Sequence, residues 1–133
     1  GATVVHGHHP HVLHAARFAF AGPLRRLVLP SLGNFISGQA EFLDPRTGAG
    51  AVAPGTGDSA IVRVRVLCGE GWATVIGVEA VPVAVHRDTR GTLAVSPLEH
   101  LAGSTPPAWQ AYYRGRLADL GRLFSGVATS SGR

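Results

Sequence analysis

The sequence predicts an α/β chain in which strands dominate and a helix closes the C-terminal end. Two observations carry that expectation. Short β-branched runs separated by Gly, Pro, Asn and Asp signals fill residues 3 to 95, the signature of successive strands and turns. Apolar residues then recur at helical spacing from Trp109 to Phe124. A third feature marks where chemistry would sit: five of the seven histidines, His6, His8, His9, His11 and His14, crowd the N-terminal stretch. A chain of 133 residues with 45% hydrophobic content suits one domain with a core of ordinary size.

Element by element, Thr3-Val4-Val5 reads as a buried strand that delivers its end to the histidine loop. Val12 to Phe20 reads as a short helical turn followed by a strand, and Ala21-Gly22-Pro23 as a turn. Arg26 to Leu29 is a strand, and Gly33-Asn34 suits a tight turn or bulge. Residues 37–58 are rich in Gly, Pro and small side chains. A stretch of that length is expected to be a flexible loop beside the site, a lid or a disordered insertion. Phe42 and Leu43 would be its partner-facing residues.

Ala60 to Leu67 alternates like a strand, Gly69-Glu70-Gly71 turns the chain, and Trp72 to Val85 returns it with interruptions at Gly77 and Pro82. Asp88 to Gly91 is a further turn and Thr92 to Val95 a further strand. Residues 102–125 are expected to form a peripheral helix, with Ser104-Thr105 as caps and Pro106-Pro107 in its first turn. Its buried face would carry Trp109, Tyr113, Leu117, Leu120 and Phe124. Residues 126–133 read as a disordered tail.

Composition narrows the function classes. All twelve basic residues are arginine, spread from Arg17 to Arg133 with only Arg25-Arg26 adjacent. A nucleic-acid surface concentrates basic charge and interleaves aromatics, so nucleic acid is not the expected partner. Cys68 is alone, which removes a disulfide framework and any multi-cysteine zinc site. Within its strand-like run it reads as a small buried hydrophobe. No apolar run reaches the ~18 residues of a membrane span. The chain holds no methionine and opens at Gly1, so it is expected to be a piece of a longer protein or a processed product.

Gly7-His8-His9-Pro10-His11 follows the first strand directly. Neutral imidazole is the commonest protein ligand for transition metals, and a loop on a strand end brings several side chains toward one point. His8, His9 and His11 are therefore the candidate metal ligands. His6 on the strand would lie in the surrounding layer, and His14 falls beyond the loop. Pro10 restricts His9 to extended backbone. Gly7 allows the chain to approach a metal or an oxyanion closely. The histidine spacing of His6-Gly7-His8-His9-Pro10-His11 is similar to the metallo-β-lactamase motif His-x-His-x-Asp-His, but Pro10 stands where that motif has its Asp. His86, Asp88 and His100 stand downstream of it, but they sit in a hairpin and a loop without that site's flanking motifs.

A second resemblance is closer. Val4-Val5-x-Gly7-His8-His9-Pro10-His11-Val12-Leu13, followed by Leu29-x-Ser31-Leu32-Gly33-Asn34-Phe35-Ile36, resembles the C-terminal half of the CapA family. These are poly-γ-glutamate capsule-biosynthesis proteins with a calcineurin-like metallophosphoesterase fold. Asp58 to Val64 and Gly77 to Val83 resemble that family's last strands, so the likeness runs in order over residues 2–101. It implies the C-terminal part of a calcineurin-like α/β/β/α sandwich and a site with two divalent ions (Mn, Fe or Zn). It also implies catalytic and ligand roles for His9 and His11, with His8 as the competing ligand. Gly7, Asn34 and His6 would then touch substrate or support the ligands. Asn34 is followed by Phe35, so it belongs to the family's late motif rather than to the metal-ligating Gly-Asn-His of other calcineurin-like enzymes. The family's earlier Asp, Asn and His ligands are expected upstream of Gly1. A phosphoester or polyanionic substrate and capsule-synthesis partners are implied, with the parent at the cell surface or associated with the membrane. A non-catalytic assembly factor that binds metal or polyanion is the alternative.

Overall fold

The computed structural model describes residues 1–40, 44, 46–47, 55–88 and 90–128. It is a mixed α/β structure made mostly of strands. Strands β1 (Val4–His6), β2 (Arg17–Ala21) and β3 (Leu24–Leu29) form one sheet in the order β1-β3-β2. Strands β4 (Asp58–Gly69), β5 (Trp72–Arg87) and β6 (Leu93–Pro97) form a second, in the order β4-β5-β6. Helices α1 (Leu98–Ser104) and α2 (Pro107–Phe124) follow.

In the first sheet β2 and β3 make a hairpin through Gly22, whose φ of 59° supplies the left-handed turn residue. β1 joins β3 in parallel, with Val5 opposite Val28 and His6 opposite Leu29. The expected burial of β1 does not hold. Val4 is 36% and Val5 48% exposed, because β1 is an edge strand paired on one side only. The expected helical turn after the histidine loop is also absent. Leu13 is buried and instead makes an antiparallel bridge to Leu32, so tertiary pairing overrides the local apolar pattern.

The second sheet is a long antiparallel meander. Its register shifts between Arg65 and Val66, where Ile76 is the extra residue on β5, a β-bulge next to the expected break at Gly77. The Arg65 guanidinium lies over Gly77 and the Trp72 indole over Gly69, where a Cβ would clash. Pro82 lies one residue outside the β5–β6 pairing, which begins at Val83 opposite Pro97. Cys68 is exposed rather than buried, since the tip of the β4–β5 hairpin runs past the core.

The core lies where the sheets and helices meet. Leu27, Val75, Leu98 and Leu120 are almost wholly inaccessible, with Phe124 and Val127 beside them. Tyr113, Leu120 and Phe124 of α2 are buried, and Trp109 and Leu117 pack against the same cluster, so the anticipated face points inward. Two helices stand where one was expected. Ser104 and Thr105 do not cap α2. Their hydroxyls donate back to the carbonyls of His100 and Leu101 and close α1 instead. The anticipated tail is packed at its start, for Val127 is 2% exposed and its N–H donates to the Phe124 carbonyl. Residues 129–133 lie outside the described residues.

Candidate functional site

The histidine loop is held at both ends by backbone bonds. The Gly7 N–H donates to the Leu29 carbonyl at 2.8 Å, and the His14 N–H to that of Ser31 at 3.1 Å. A Cβ on Gly7 would sit 2.4 Å from the Pro30 carbonyl oxygen. The close approach expected of this glycine is therefore made to the neighbouring loop of its own chain. Between these anchors His9 has φ 119° and His11 φ 59°. The extended backbone expected for His9 is not adopted. Both residues flanking Pro10 occupy backbone that side chains other than Gly disfavour, a form of strain concentrated at functional loops.

Asn34 links the two sequence motifs. Its Nδ2 donates to the Thr56 carbonyl at 2.9 Å and to Gln39 Oε1 at 2.7 Å. A carbonyl only accepts, so the amide nitrogen must face Thr56, and Oδ1 faces His11. His11 Nδ1 lies 2.9 Å from that oxygen and must be the donor. Nδ1–H is thereby fixed and the Nε2 lone pair points elsewhere, the tautomer a metal-ligating histidine needs. Gly33 makes the turn possible. Its φ is 72°, and a Cβ there would lie 2.3 Å from the Asp58 carbonyl oxygen. Gln39 and Thr56 come from opposite ends of the 37–58 stretch, and both bind Asn34. Phe42 and Leu43 lie outside the described residues.

The remaining histidines divide. The His6 and His8 rings meet edge to face with centroids 4.2 Å apart, and His9 is exposed. Among the described residues no group of three His, Cys, Asp or Glu side chains converges as a metal-holding set. The Asn34 bond orients one imidazole nitrogen, His11 Nε2, and a single imidazole does not by itself make a transition-metal site. Two of the three downstream residues that a metallo-β-lactamase site would need serve other ends. His86 Nδ1 donates to the Arg87 carbonyl and Nε2 accepts from Ser96 Oγ. Asp88 Oδ1 accepts from the Arg90 and Thr92 N–H groups in the turn.

A second group was not anticipated from the sequence. Asp58, at the start of β4, is buried and receives both Nε (2.7 Å) and NH2 (2.5 Å) of Arg116 on its Oδ2. Arg116 also pairs with Asp119. Burial pushes the Asp58 carboxyl above its usual value, against the opposing pull of Arg116. Asp58 and Arg116 stand 58 positions apart, so no local pattern joins them. The only sequence signal was an acidic residue opening the strand. Beside them Trp109, Tyr112 and Tyr113 form an aromatic cluster with centroids 5.4–5.9 Å apart.

No family model, curated protein or solved structure matches the chain. No helix among the described residues is long and apolar enough to cross a membrane.

Proposed function

We propose that this chain is the C-terminal portion of a CapA-like protein with a calcineurin-like sandwich. In this reading it brings the last histidine motif to a metal site that acts on a phosphoester in capsule or poly-γ-glutamate biosynthesis. One observation carries the reading: the His11–Asn34 hydrogen bond joins the two motifs on which the resemblance rests, and it prepares His11 Nε2 as a ligand. His11 would hold a divalent ion (Mn, Fe or Zn) with His9 or His8 as a further nitrogen donor. The other ligands of a two-ion centre would come from a longer parent. Such an ion supplies Lewis-acid stabilisation of charge on a phosphoryl oxygen. The chain's own part is to orient His11 through Asn34 and to anchor the loop through Gly7 and Ser31.

The test uses the longer parent with Mn and a generic phosphomonoester. Turnover that is lost in His11→Ala supports the phosphoesterase reading. Metal binding without turnover, together with dependence on capsule-synthesis partners, would replace it with the non-catalytic assembly factor. Absence of Asp, Asn-His and His motifs upstream of Gly1 would sink the binuclear site.

A further inference from the structure

Ser96 and His86 meet across the β5–β6 pair. Ala84 stands opposite Ser96 and Ala94 opposite His86. The two therefore lie on one face of the sheet as a diagonal pair, a spacing within reach of a long side chain. His86 Nδ1 lies 3.2 Å from the Arg87 carbonyl oxygen, and Nε2 lies 2.8 Å from Ser96 Oγ. A carbonyl oxygen only accepts, so Nδ1 carries the ring proton and Nε2 is the lone-pair nitrogen. The Ser96 hydroxyl is then the donor, and its proton points at a base. Ser59, Ser104 and Ser125 instead give their hydroxyl protons to backbone carbonyls, which do not take up a proton. A hydroxyl nucleophile, an imidazole base and a group that orients the base are the parts of an activated serine.

His86 is also a wall of a pocket of about 370 Å³ between the ends of β5 and β6 and the start of α2. That volume is within the ~300–1,000 Å³ range of small-molecule sites. Ala84, Val85 and Leu93 form its strand side, and Trp109, Tyr112 and Tyr113 its helix side. Trp109 and Tyr113 stack at 5.5 Å with 23° between their planes. The Asp58 carboxylate in the lining is already balanced by Arg116, so these six side chains offer an apolar group a place to leave water. The serine nucleophile thus stands one hydrogen bond away from the wall of an apolar cavity. None of the N-terminal histidines lines it.

We propose that Ser96 and His86 form a metal-independent acyl-transfer site for carboxylic esters whose acyl chain is apolar, with the aromatic pocket holding that chain. Ser96 Oγ attacks the ester carbonyl carbon and its proton passes to His86 Nε2. The bond to the leaving oxygen breaks, and that oxygen takes the proton from His86. Water then attacks the acyl-Ser96 ester, gives one proton to His86, and releases the carboxylic acid as Ser96 regains its proton. The probe is a hexyl fluorophosphonate, in which Oγ displaces fluoride and leaves a stable phosphonyl ester. Labelling is run in EDTA and followed by intact mass and peptide mapping. Expected is a single adduct, at Ser96, formed about 100-fold more slowly in His86→Gln with the thermal midpoint retained. The labelled chain should hydrolyse para-nitrophenyl hexanoate no faster than Ser96→Ala does. Leu93→Trp, which narrows the pocket, should slow the hexyl probe about tenfold more than its methyl analogue. No adduct at Ser96 on the unaltered chain would overturn the proposal, and so would equal labelling of Ser59, Ser104 or Ser125. An unchanged rate in a folded His86→Gln chain would remove His86 as the base. Equal slowing of the two probes by Leu93→Trp would remove the pocket as the acyl site. The chelator keeps metal out of the readout, so failure here is distinct from failure of the phosphoesterase reading.

Discussion

At the scale of single residues, Asn34 does most to define the histidine loop. One amide satisfies Gln39, the Thr56 carbonyl and His11 together, so its orientation is over-determined. Outer partners of ligating histidines typically hold 10–100-fold in metal affinity. If the loop holds a metal as proposed, Asn34→Ala should weaken Mn or Zn binding by roughly that factor in calorimetric titration, and Asn34→Asp, which keeps an acceptor facing His11, should recover part of it. Gly33 is the second decisive residue. Gly33→Ala forces a Cβ to 2.3 Å from the Asp58 carbonyl at φ 72°. The strain alone is about 1–3 kcal/mol, and the unfolding free energy read from urea titration should fall by at least that much. Both residues stood out in the sequence as a turn pair next to the second motif. Their partners did not, because contacts with Thr56 and Asp58 span 22 or more positions and depend on how the second sheet docks.

At the scale of elements, α2 shows where sequence periodicity succeeds and where capping rules mislead. The inward face from Trp109 to Phe124 was legible because burial follows the 3.6-residue repeat. The helix start was not, since Ser104 and Thr105 found acceptors in a preceding helix that Leu98 to Ser104 barely announced. Thr105→Val, which removes that bond and leaves the Leu101 carbonyl short of a donor, should cost about 0.5–1.5 kcal/mol in thermal or urea unfolding. The chain's two tyrosines both lie on α2 and titrate high. Burial, followed by the negative charge of Asp58, pushes Tyr112 up to about 12. Burial also raises Tyr113, with Tyr112 and then Asp58 adding to it. The unfolded phenols ionise near 10.0. The folded chain keeps its protons longer, so its stability is fully present below that pH and falls as pH rises through about 12. Absorbance at the tyrosinate band should stay flat at pH values just above 10.0 and rise only with unfolding. A normal phenol titration in the folded chain would contradict this.

Over the whole molecule, the strand-dominated α/β class and most strand positions were readable, since turn residues punctuate β-branched runs so regularly. The exposure of β1 and of Cys68 was not, because an apolar run does not reveal whether anything covers it. The second sheet illustrates the result. β4 is an edge strand, and Ile61 (52%), Leu67 (50%) and Trp72 (43%) of the β4–β5 hairpin stand open to solvent. Long apolar edges of this kind pair with other chains. The isolated chain should therefore sediment with a concentration-dependent mass, and Leu67→Lys should restore monomer behaviour. The turn that precedes β4 has a different consequence. Thr56 offers its carbonyl to Asn34, Gly57 offers its own to Val85, and Gly57 and Asp58 line the aromatic pocket. A single short run of peptide units therefore belongs to both regions. If the histidine loop holds a metal as proposed, an occupant of the pocket that shifted this run would change the loop's metal affinity, and thermodynamic reciprocity would require the metal to change the pocket's affinity by the same factor.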